Sequence, residues 1–456
     1  MKPAPPATPA RFVAGTTMRH VLVMTAAMAV GLSALFLVDL ADVYFLSLLN
    51  DSEITAAIGF SVPLLYFTLS FSIGISIAMG ALVSRHVGAG ESEKARQLTL
   101  NILIYGVCLT GLLALALWLT IPRLLVLMGA QDRVLALATH YLRIIIPSMP
   151  LLTIGSSAGA ALRAIGQPRR SALIMLSGSL VNASLDPLFI FVFHLDIAGA
   201  ALASVLARAM MAAFGLYWLA GPNHFLSRTP RAVFFAQFKP FAAIAGPVIL
   251  TNIAAPLGHA YVISKLSAYG DSVMAGAAVL WRLIPVVFAG NFALSASIGP
   301  IIGQNFGARR FDRVWQAYRD ALTFVAVYVA VMALALFFAQ GGIVHGFRLG
   351  GQGAALVAFY FTWLAASNAF EGIVYASSAT FNNLGYQHLS MVFNWAKATL
   401  GIIPFVTLGA TWWGARGVFV GVAAGGLLFA ALAVFLCWRV IRRLAARASG
   451  RRSPSR

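Results

Sequence analysis

The chain has 456 residues, of which 60% are hydrophobic and only 10% are charged. Its mean hydropathy of +0.86 exceeds what the core of a soluble protein requires, so the composition excludes a soluble globular protein and indicates an integral membrane protein. Both cysteines, Cys108 and Cys437, lie in apolar runs, which argues against a disulfide framework and against a cysteine-based metal site.

Apolar runs long enough to cross a bilayer recur along the whole chain, because about 20 apolar residues span the hydrocarbon core as a helix. Twelve spans are predicted, beginning near residues 21, 54, 98, 134, 171, 197, 239, 273, 315, 352, 390 and 416. Basic residues concentrate in alternate loops, so the net charge of +19 reflects the positive-inside rule and not a nucleic-acid partner. The same rule places both termini in the cytoplasm.

Only four of the acidic residues lie within apolar runs. They are Asp39 and Asp42 in span 1, Asp186 in span 5 and Glu371 in span 10. An acid at membrane depth is costly and normally faces the protein interior, where it has a partner or a cation. These four acids are therefore the candidates for a functional site.

The stretch "NASLDPLFIF", residues 182–191, concentrates oxygen donors in span 5. Asn182 and Asp186 are one helical turn apart and share a face, and Pro187 removes the hydrogen bond to the carbonyl of Ala183. Such donors in an apolar bundle suit a hard monovalent cation or an exchangeable proton. The alternative is a simple helix kink held by a hydrogen-bonded Asn and Asp, which does not explain why an ionisable residue stands where Asn would serve.

The chain repeats itself after 219 residues. "ALVSRHVGAG" (81–90) falls on "PIIGQNFGAR" (300–309), and Gly166 falls on Gly385. Because each copy has six spans, both copies enter the membrane from the same side, which predicts a pseudo-twofold axis along the membrane normal and two lobes facing a cleft. The predicted domains are a cytoplasmic tail (1–17), an N-terminal six-helix lobe (18–220), a cytoplasmic linker (221–238), a C-terminal six-helix lobe (239–444) and a basic cytoplasmic tail (445–456).

These motifs resemble those of the multidrug and toxic compound extrusion (MATE) family, in its DinF-like prokaryotic branch. "NASLDP" is similar to that branch's N-x-x-L-D-P motif in span 5, "PIIGQNFGARRFDRV" resembles the Q-N-x-G-A signature after span 8, and "LRAIGQ" is similar to the L-R-G-x-G-D turn. The resemblance covers nearly the whole chain. It implies two six-helix lobes that export amphipathic, often cationic compounds in exchange for sodium ions or protons.

The resemblance also implies a coupling site in the N-terminal lobe, formed by a span-1 aspartate, Asn182, Asp186 and a span-6 threonine. The span-6 pattern G-A-A-x-A-T appears here as "GAALAS", which puts Ser204 in the threonine's place. Span 1 offers two aspartates; the family spacing favours Asp42, and Asp39 stays open as a second proton carrier, a packing acid or the main site. Asp42, Asn182, Asp186 and Ser204 would also be the ligands of a sodium ion.

The second lobe departs further from the family pattern. Glu371 falls where other branches carry a span-10 acid, but span 7 lacks the glutamate that accompanies it, and His259 is its nearest titratable group. Arg282 in span 8 and Lys397 in span 11 are alternatives for neutralising Glu371 as a structural pair. Arg208, one turn after Ser204, replaces a neutral residue and predicts a positive charge close to the acids, which would compete with sodium.

The sequence therefore predicts an all-α membrane transporter, not an enzyme, that works as a secondary antiporter in the bacterial inner membrane. The expected coupling ion is the proton, with sodium as the alternative, and no cofactor is expected. Expected partners are small amphipathic or cationic substrates and the lipid bilayer, and a monomer is expected. The alternative function is a flippase for a lipid-linked or anionic lipid, which Arg208, Arg282 and Lys397 would suit.

Overall fold

The apolar segments form helices because a backbone in lipid must satisfy its own hydrogen bonds. The computed structural model describes residues 9–47 and 51–450, without the side chains at positions 39, 43, 44, 46, 47, 255, 449 and 450. Throughout these ranges the regular structure is helical, which confirms the predicted all-α class. The helices are α1 (Thr17–Ser47), α2 (Ser52–Gly88), α3 (Ser92–Leu127), α4 (Asp132–Ile145), α5 (Met149–Ala164), α6 (Pro168–Pro187), α7 (Asp196–Ala220), α8 (Arg231–Leu266), α9 (Asp271–Val287), α10 (Ala289–Gly307), α11 (Phe311–Gly346), α12 (Gly351–Phe359), α13 (Asn368–Leu384), α14 (Gln387–Ala396) and α15 (Ile403–Gly450).

The described residues contain twelve segments of membrane-spanning length. Ten helical segments are long and apolar enough to cross a bilayer, and α9 with α10 forms an eleventh that bends by 42° at Phe288. One of the ten, Gln387–Ala448, is 62 residues long and contains two crossings, because the chain reverses within it. The count agrees with the twelve spans expected from the sequence.

The reversal lies within α15, where Trp413 (φ −133°, ψ 19°) and Gly414 (φ 58°, ψ −139°) leave the helical conformation. The two arms pack together through glycines: a Cβ on Gly417 or Gly425 would overlap the carbonyl oxygens of Gly409 and Gly401 respectively. Gly409 and Gly417 lie at equal distances along the chain before and after Trp413, and so do Gly401 and Gly425. The two arms are therefore antiparallel. Glycine at these positions permits the close helix approach that membrane bundles use.

The repeat is visible in the structure at matching positions. A short 3-10 turn, Ile146–Ser148, interrupts span 4, and Ala365–Ser367 interrupts span 10 exactly one repeat later. In both turns the serine hydroxyl donates to a carbonyl three residues back at 2.6 Å. The turns after spans 2 and 8 also match, since Ala89 and Ala308 have the same backbone conformation and the same pattern of cap hydrogen bonds.

The chain forms two units. Unit 1 contains Val30–Ile249 with the described residues before Phe12, and unit 2 contains Phe12–Ala29 with the chain from Leu250 onward. Helices α1 and α8 each contribute to both units. The segment 221–238, expected as a linker, lies in unit 1, and α8 begins inside it at Arg231. The lobe boundaries 18–220 and 239–444 stay predictions, because a division by packing need not follow a division by sequence repeat.

Candidate functional site

A hydrogen-bonded cluster joins α1 to α6 inside unit 1. The side-chain nitrogen of Asn182 donates to both carboxylate oxygens of Asp42, at 3.1 and 3.2 Å. The same nitrogen donates to Oδ2 of Asp186 at 2.9 Å. The structure thus brings together three of the residues singled out in the sequence, and one amide bridges two acids from different spans.

Close helix packing places these groups opposite each other. On α1, a Cβ at Gly31 would lie 3.3 Å from Met175 and 3.5 Å from the backbone of Ala172 on α6. Asp42 follows Gly31 by three turns, and Asn182 follows Met175 by two, so the two helices run in the same direction with their polar residues at a similar level. Gly178 provides a matching close approach between α6 and Met211 of α7.

The cluster is removed from water and has an unused acceptor. Asp186 is completely buried and Asn182 is 7% exposed, whereas Asp42 is partly buried. Oδ1 of Asp186 has no hydrogen-bond partner in the described part of the chain. Both carboxyl groups lie within hydrogen-bond distance of the same Asn182 nitrogen, so they lie close to each other. Two charged carboxylates that share one amide nitrogen repel each other, so a proton or a cation between them stabilises the arrangement.

The span-5 break follows the cluster at once. Helix α6 ends at Pro187, and the chain continues as a π-helical turn over Leu188–Val192. Gly199 of α7 packs directly against the backbone of Phe189 in this turn. Single π turns inside helices mark positions where the hydrogen-bond ladder can be rearranged. The acids of the cluster therefore adjoin an irregular part of the span.

Two further candidates for the coupling site have no described contact that joins them to the cluster. Ser204 is partly buried on α7, but no hydrogen bond joins it to Asp42, Asn182 or Asp186 among the described residues. Asp39 lies in α1, and its side chain is outside the described residues. Their predicted roles stay predictions.

Arg208 is directed towards the break in span 4. Its Nη1 donates to the carbonyl oxygen of Ile145 at 3.2 Å and to the Ser148 hydroxyl at 2.9 Å. In the described part of the chain it forms no ion pair with an acid. The guanidinium thus joins the Ser148 hydroxyl as a second donor to the carbonyl at the end of α4. Neither of these hydrogen bonds goes to Asp42 or Asp186, the acids it was expected to influence.

In unit 2, Glu371 of α13 is paired with Lys397. The ammonium group lies 2.5 Å from each carboxylate oxygen. Arg282, the other expected partner, is exposed on α9 and forms no ion pair among the described residues. His259 stacks edge-on against Trp281, with ring centroids 4.7 Å apart. Of the two pairings left open by the sequence, the structure contains the one with Lys397.

A second polar cluster in unit 2 escaped the sequence analysis. Gln304 accepts a hydrogen bond from the backbone nitrogen of Phe12 at 2.9 Å, and Asn305 donates to the Phe12 carbonyl at 3.1 Å. Arg313 donates to the carbonyls of Phe12 and Gly15 at 3.1 and 2.9 Å. The Q-N-x-G-A turn therefore holds the segment that precedes span 1. The available sequence signal was Phe12, an aromatic residue in an otherwise polar and proline-rich tail, and the structure buries it.

The equivalent turn in unit 1 carries ionic contacts instead. Glu91 accepts from Lys94 at 2.9 Å and from His86 at 2.6 Å, and these bonds lower the pKa of its carboxyl group. One repeat later the corresponding positions are Asn305 and Arg310, both of which bind the N-terminal segment. The two turns therefore share a backbone conformation and differ in the groups that their side chains bind.

The chain matches the MatE family over residues 18–188 and 247–407, which is well over half of its length. It is 27% identical to a FAD transporter from Shewanella oneidensis, over 92% of this chain and 94% of that protein. It is 25% identical to the multidrug export protein MepA from Staphylococcus haemolyticus, over 88% and 89% of the two chains.

A solved structure has the same fold over nearly the full length. The crystal structure of the Vibrio cholerae MATE transporter VcmN in the bent form superposes with a TM-score of 0.88 at 25% identity. The match covers 94% of this chain and 98% of that one. Fold and sequence therefore point to the same family.

Proposed function

The chain belongs to the MATE family of membrane transporters, and from this premise we propose that it is an antiporter that exports amphipathic, often cationic compounds in exchange for protons. Multidrug export is the named activity of its relative MepA. The proposed place of coupling is the cluster of Asp42, Asn182 and Asp186, and the proposed location is the bacterial plasma membrane with both termini in the cytoplasm.

One observation supports this proposal above the others: a single amide nitrogen holds two acids from two spans at membrane depth. A structural role alone would be served by amides or hydroxyls, which cost less to bury than ionisable groups. Two carboxyl groups with one neutral bridge can gain and lose a proton with little movement of their neighbours. This is the chemistry that a coupling site requires.

Coupling follows if the proton and the substrate favour different conformations. Protonation removes the repulsion between Asp42 and Asp186 and strengthens the contact between α1 and α6, next to the π turn that follows Pro187. If this rearranged state binds the substrate more weakly, proton entry drives substrate release. The difference in affinity between the two states sets the size of the coupling.

Geometry favours protons over sodium. Sodium, like other hard cations, prefers a shell of oxygen ligands, whereas a proton needs only one carboxyl group. Here Asn182 presents its nitrogen to both acids, so hydrogen-bond donors occupy the space between the carboxylates where a sodium ion would need oxygen atoms. Ser204, the other expected oxygen ligand, makes no described hydrogen bond with the three.

Growth of a drug-sensitive bacterial host on dyes and cationic antibiotics tests the function. Expression of the wild-type protein should raise resistance, and Asp42→Asn should remove that gain because the variant keeps the side-chain shape and loses the exchangeable proton. Asp196→Asn, the same substitution at an exposed position of α7, is the matched control and should retain the resistance. No gain with the wild-type protein on any cationic compound would contradict multidrug export.

A second candidate is export of an anionic compound, either a nucleotide-like molecule or an anionic lipid. The relative named as a FAD transporter matches 92% of this chain, and Arg208 is a charged group without a described acidic partner. Efflux of FAD from loaded proteoliposomes, compared between the wild-type protein and Arg208→Gln, tests this candidate. Efflux that depends on Arg208 would favour the anionic substrate, and transfer of a labelled anionic lipid between leaflets would favour the flippase.

A further inference from the structure

Unit 2 contains an acid whose charge is already matched. Glu371 binds the ammonium group of Lys397 through both of its carboxylate oxygens, each at 2.5 Å. No further hydrogen bond of either side chain is described. The ammonium therefore occupies the position in which a mobile cation would bind a carboxylate.

The lysine is built into the fold. Its side chain is only 14% exposed, against 36% for that of Glu371, although a lysine at a protein surface normally extends its charge into water. Lys397 begins the π-helical turn Lys397–Gly401, and its stem lies 3.5 Å from the place a Cβ on Gly401 would occupy. The same place is 2.9 Å from the Phe429 ring, so glycine leaves room for that ring beside the lysine stem.

Few other ionisable groups act on this acid. Among the described residues, Tyr360 interacts with Glu371 electrostatically, and its hydroxyl accepts a hydrogen bond from Asn368 at 3.0 Å. Asn291 of α10 donates to the Asn368 carbonyl at 3.0 Å. These described groups on spans 8 and 10 are neutral, and Lys397 supplies the positive charge that Glu371 binds.

The two acids of the unit 1 cluster have no such cationic partner among the described residues. Asp42 and Asp186 share a neutral amide, and no described ion pair includes either of them. We propose that Lys397 is a resident counter-ion that replaces a coupling ion at Glu371, so that unit 2 completes the transport cycle without binding a proton or sodium there. The proposal rests on the coupling function proposed for unit 1 and assigns the second acid of the chain a different role.

The stoichiometry of transport tests the resident counter-ion. Proteoliposomes are prepared in sodium-free buffer with a fixed gradient of one pH unit, acid inside, and the membrane potential is clamped at zero. The measured quantity is the concentration ratio of a fluorescent cationic substrate, inside to outside, at which its net flux stops. Lys397→Met leaves Glu371 free to take up a proton. One additional proton per cycle should raise the balancing ratio about tenfold, because one pH unit is a factor of ten in proton activity.

Two matched variants complete the design. Lys397→Arg keeps a cation and should keep the wild-type ratio, and the double variant Lys397→Met with Glu371→Gln should return to it. Should Lys397→Met fail to fold, Glu371→Gln alone decides: an unchanged ratio supports the proposal, and a lower ratio shows that Glu371 already carries a coupling proton.

The outcomes separate this proposal from the proposed function. A wild-type substrate ratio that does not change with the pH gradient contradicts proton coupling in unit 1. The role proposed for Lys397 then has no proton-coupled cycle to which it could apply. A wild-type ratio that follows the gradient, with an equal ratio for folded Lys397→Met, overturns the resident counter-ion alone.

Discussion

Units 1 and 2 carry the same interrupted helix and opposite charge arrangements. Span 4 and span 10 break at positions one repeat apart, with the same serine-to-carbonyl hydrogen bond. Yet unit 1 gathers Asp42 and Asp186 around an amide, whereas unit 2 pairs Glu371 with Lys397. The two units therefore break their helices at matching positions of the repeat and differ in the charge that each of them holds.

Under the proposed function, this difference separates an exchangeable site in unit 1 from a fixed ion pair in unit 2. Two acids without a cation are costly at membrane depth, and a proton or an ion from solution reduces that cost. An acid that is paired with a cationic side chain of the same protein has no such need. In our account, the proposed coupling site differs from the Glu371 site because its negative charges have no paired cation among the described residues, and not because of burial alone.

The largest effect is expected from removing one of the negative charges of the unit 1 cluster. Asp186→Asn keeps the side-chain shape and eliminates an exchangeable proton, so proton-driven efflux from proteoliposomes should fall to the level of protein-free vesicles. Asp196→Asn, the same substitution at an exposed position of α7, is the control and should transport at the wild-type rate. Unimpaired efflux by Asp186→Asn would remove the functional distinction between the two units.

A smaller effect should follow from unbalancing unit 2. Glu371→Gln leaves Lys397 largely buried without a counter-ion, and the loss of stability should be about 2 kcal/mol, less than for a fully buried pair because the Glu371 side chain is 36% exposed. The readout is thermal unfolding of the purified protein in detergent. Adding Lys397→Met should recover most of the loss. Equal stability of the wild type and Glu371→Gln would show that the ion pair does not contribute to the stability of the protein.

The smallest effect concerns the matching turns, where unit 1 has Glu91 and unit 2 has Arg310. The lowered pKa of Glu91 means that its contacts stabilise the protein at neutral pH and are lost as the pH falls through that pKa. Glu91→Gln should therefore lower the melting temperature slightly at pH 7, and the difference from the wild type should vanish in acid. Asp132→Asn is the control. A difference that grows in acid would contradict the assigned contacts.

The sequence predicted much of this arrangement because its signals are local. Span positions follow from runs of apolar residues, and the pairing of Asn182 with Asp186 follows from helical spacing. The twelve spans and the family were confirmed. The repeat was visible because glycines with positive φ, such as Gly166 and Gly385, cannot be replaced freely in a turn.

Contacts between distant segments were harder to predict. Nothing in the sequence required Arg208 to point to Ile145, because spacing within α7 does not specify which neighbouring helix a side chain meets. The choice of Lys397 over Arg282 for Glu371 likewise depends on which neighbouring segment packs against α13. Docking of Phe12 against Gln304 joins residues 292 positions apart. Tertiary packing decided all three.

The most direct test of the central claim uses the wild-type protein in proteoliposomes without sodium. An imposed pH gradient alone should drive efflux of a fluorescent cation, because the acids of unit 1 need only protons to complete the cycle. Efflux that appears only when a sodium gradient is supplied would contradict this account of the Asp42, Asn182 and Asp186 cluster.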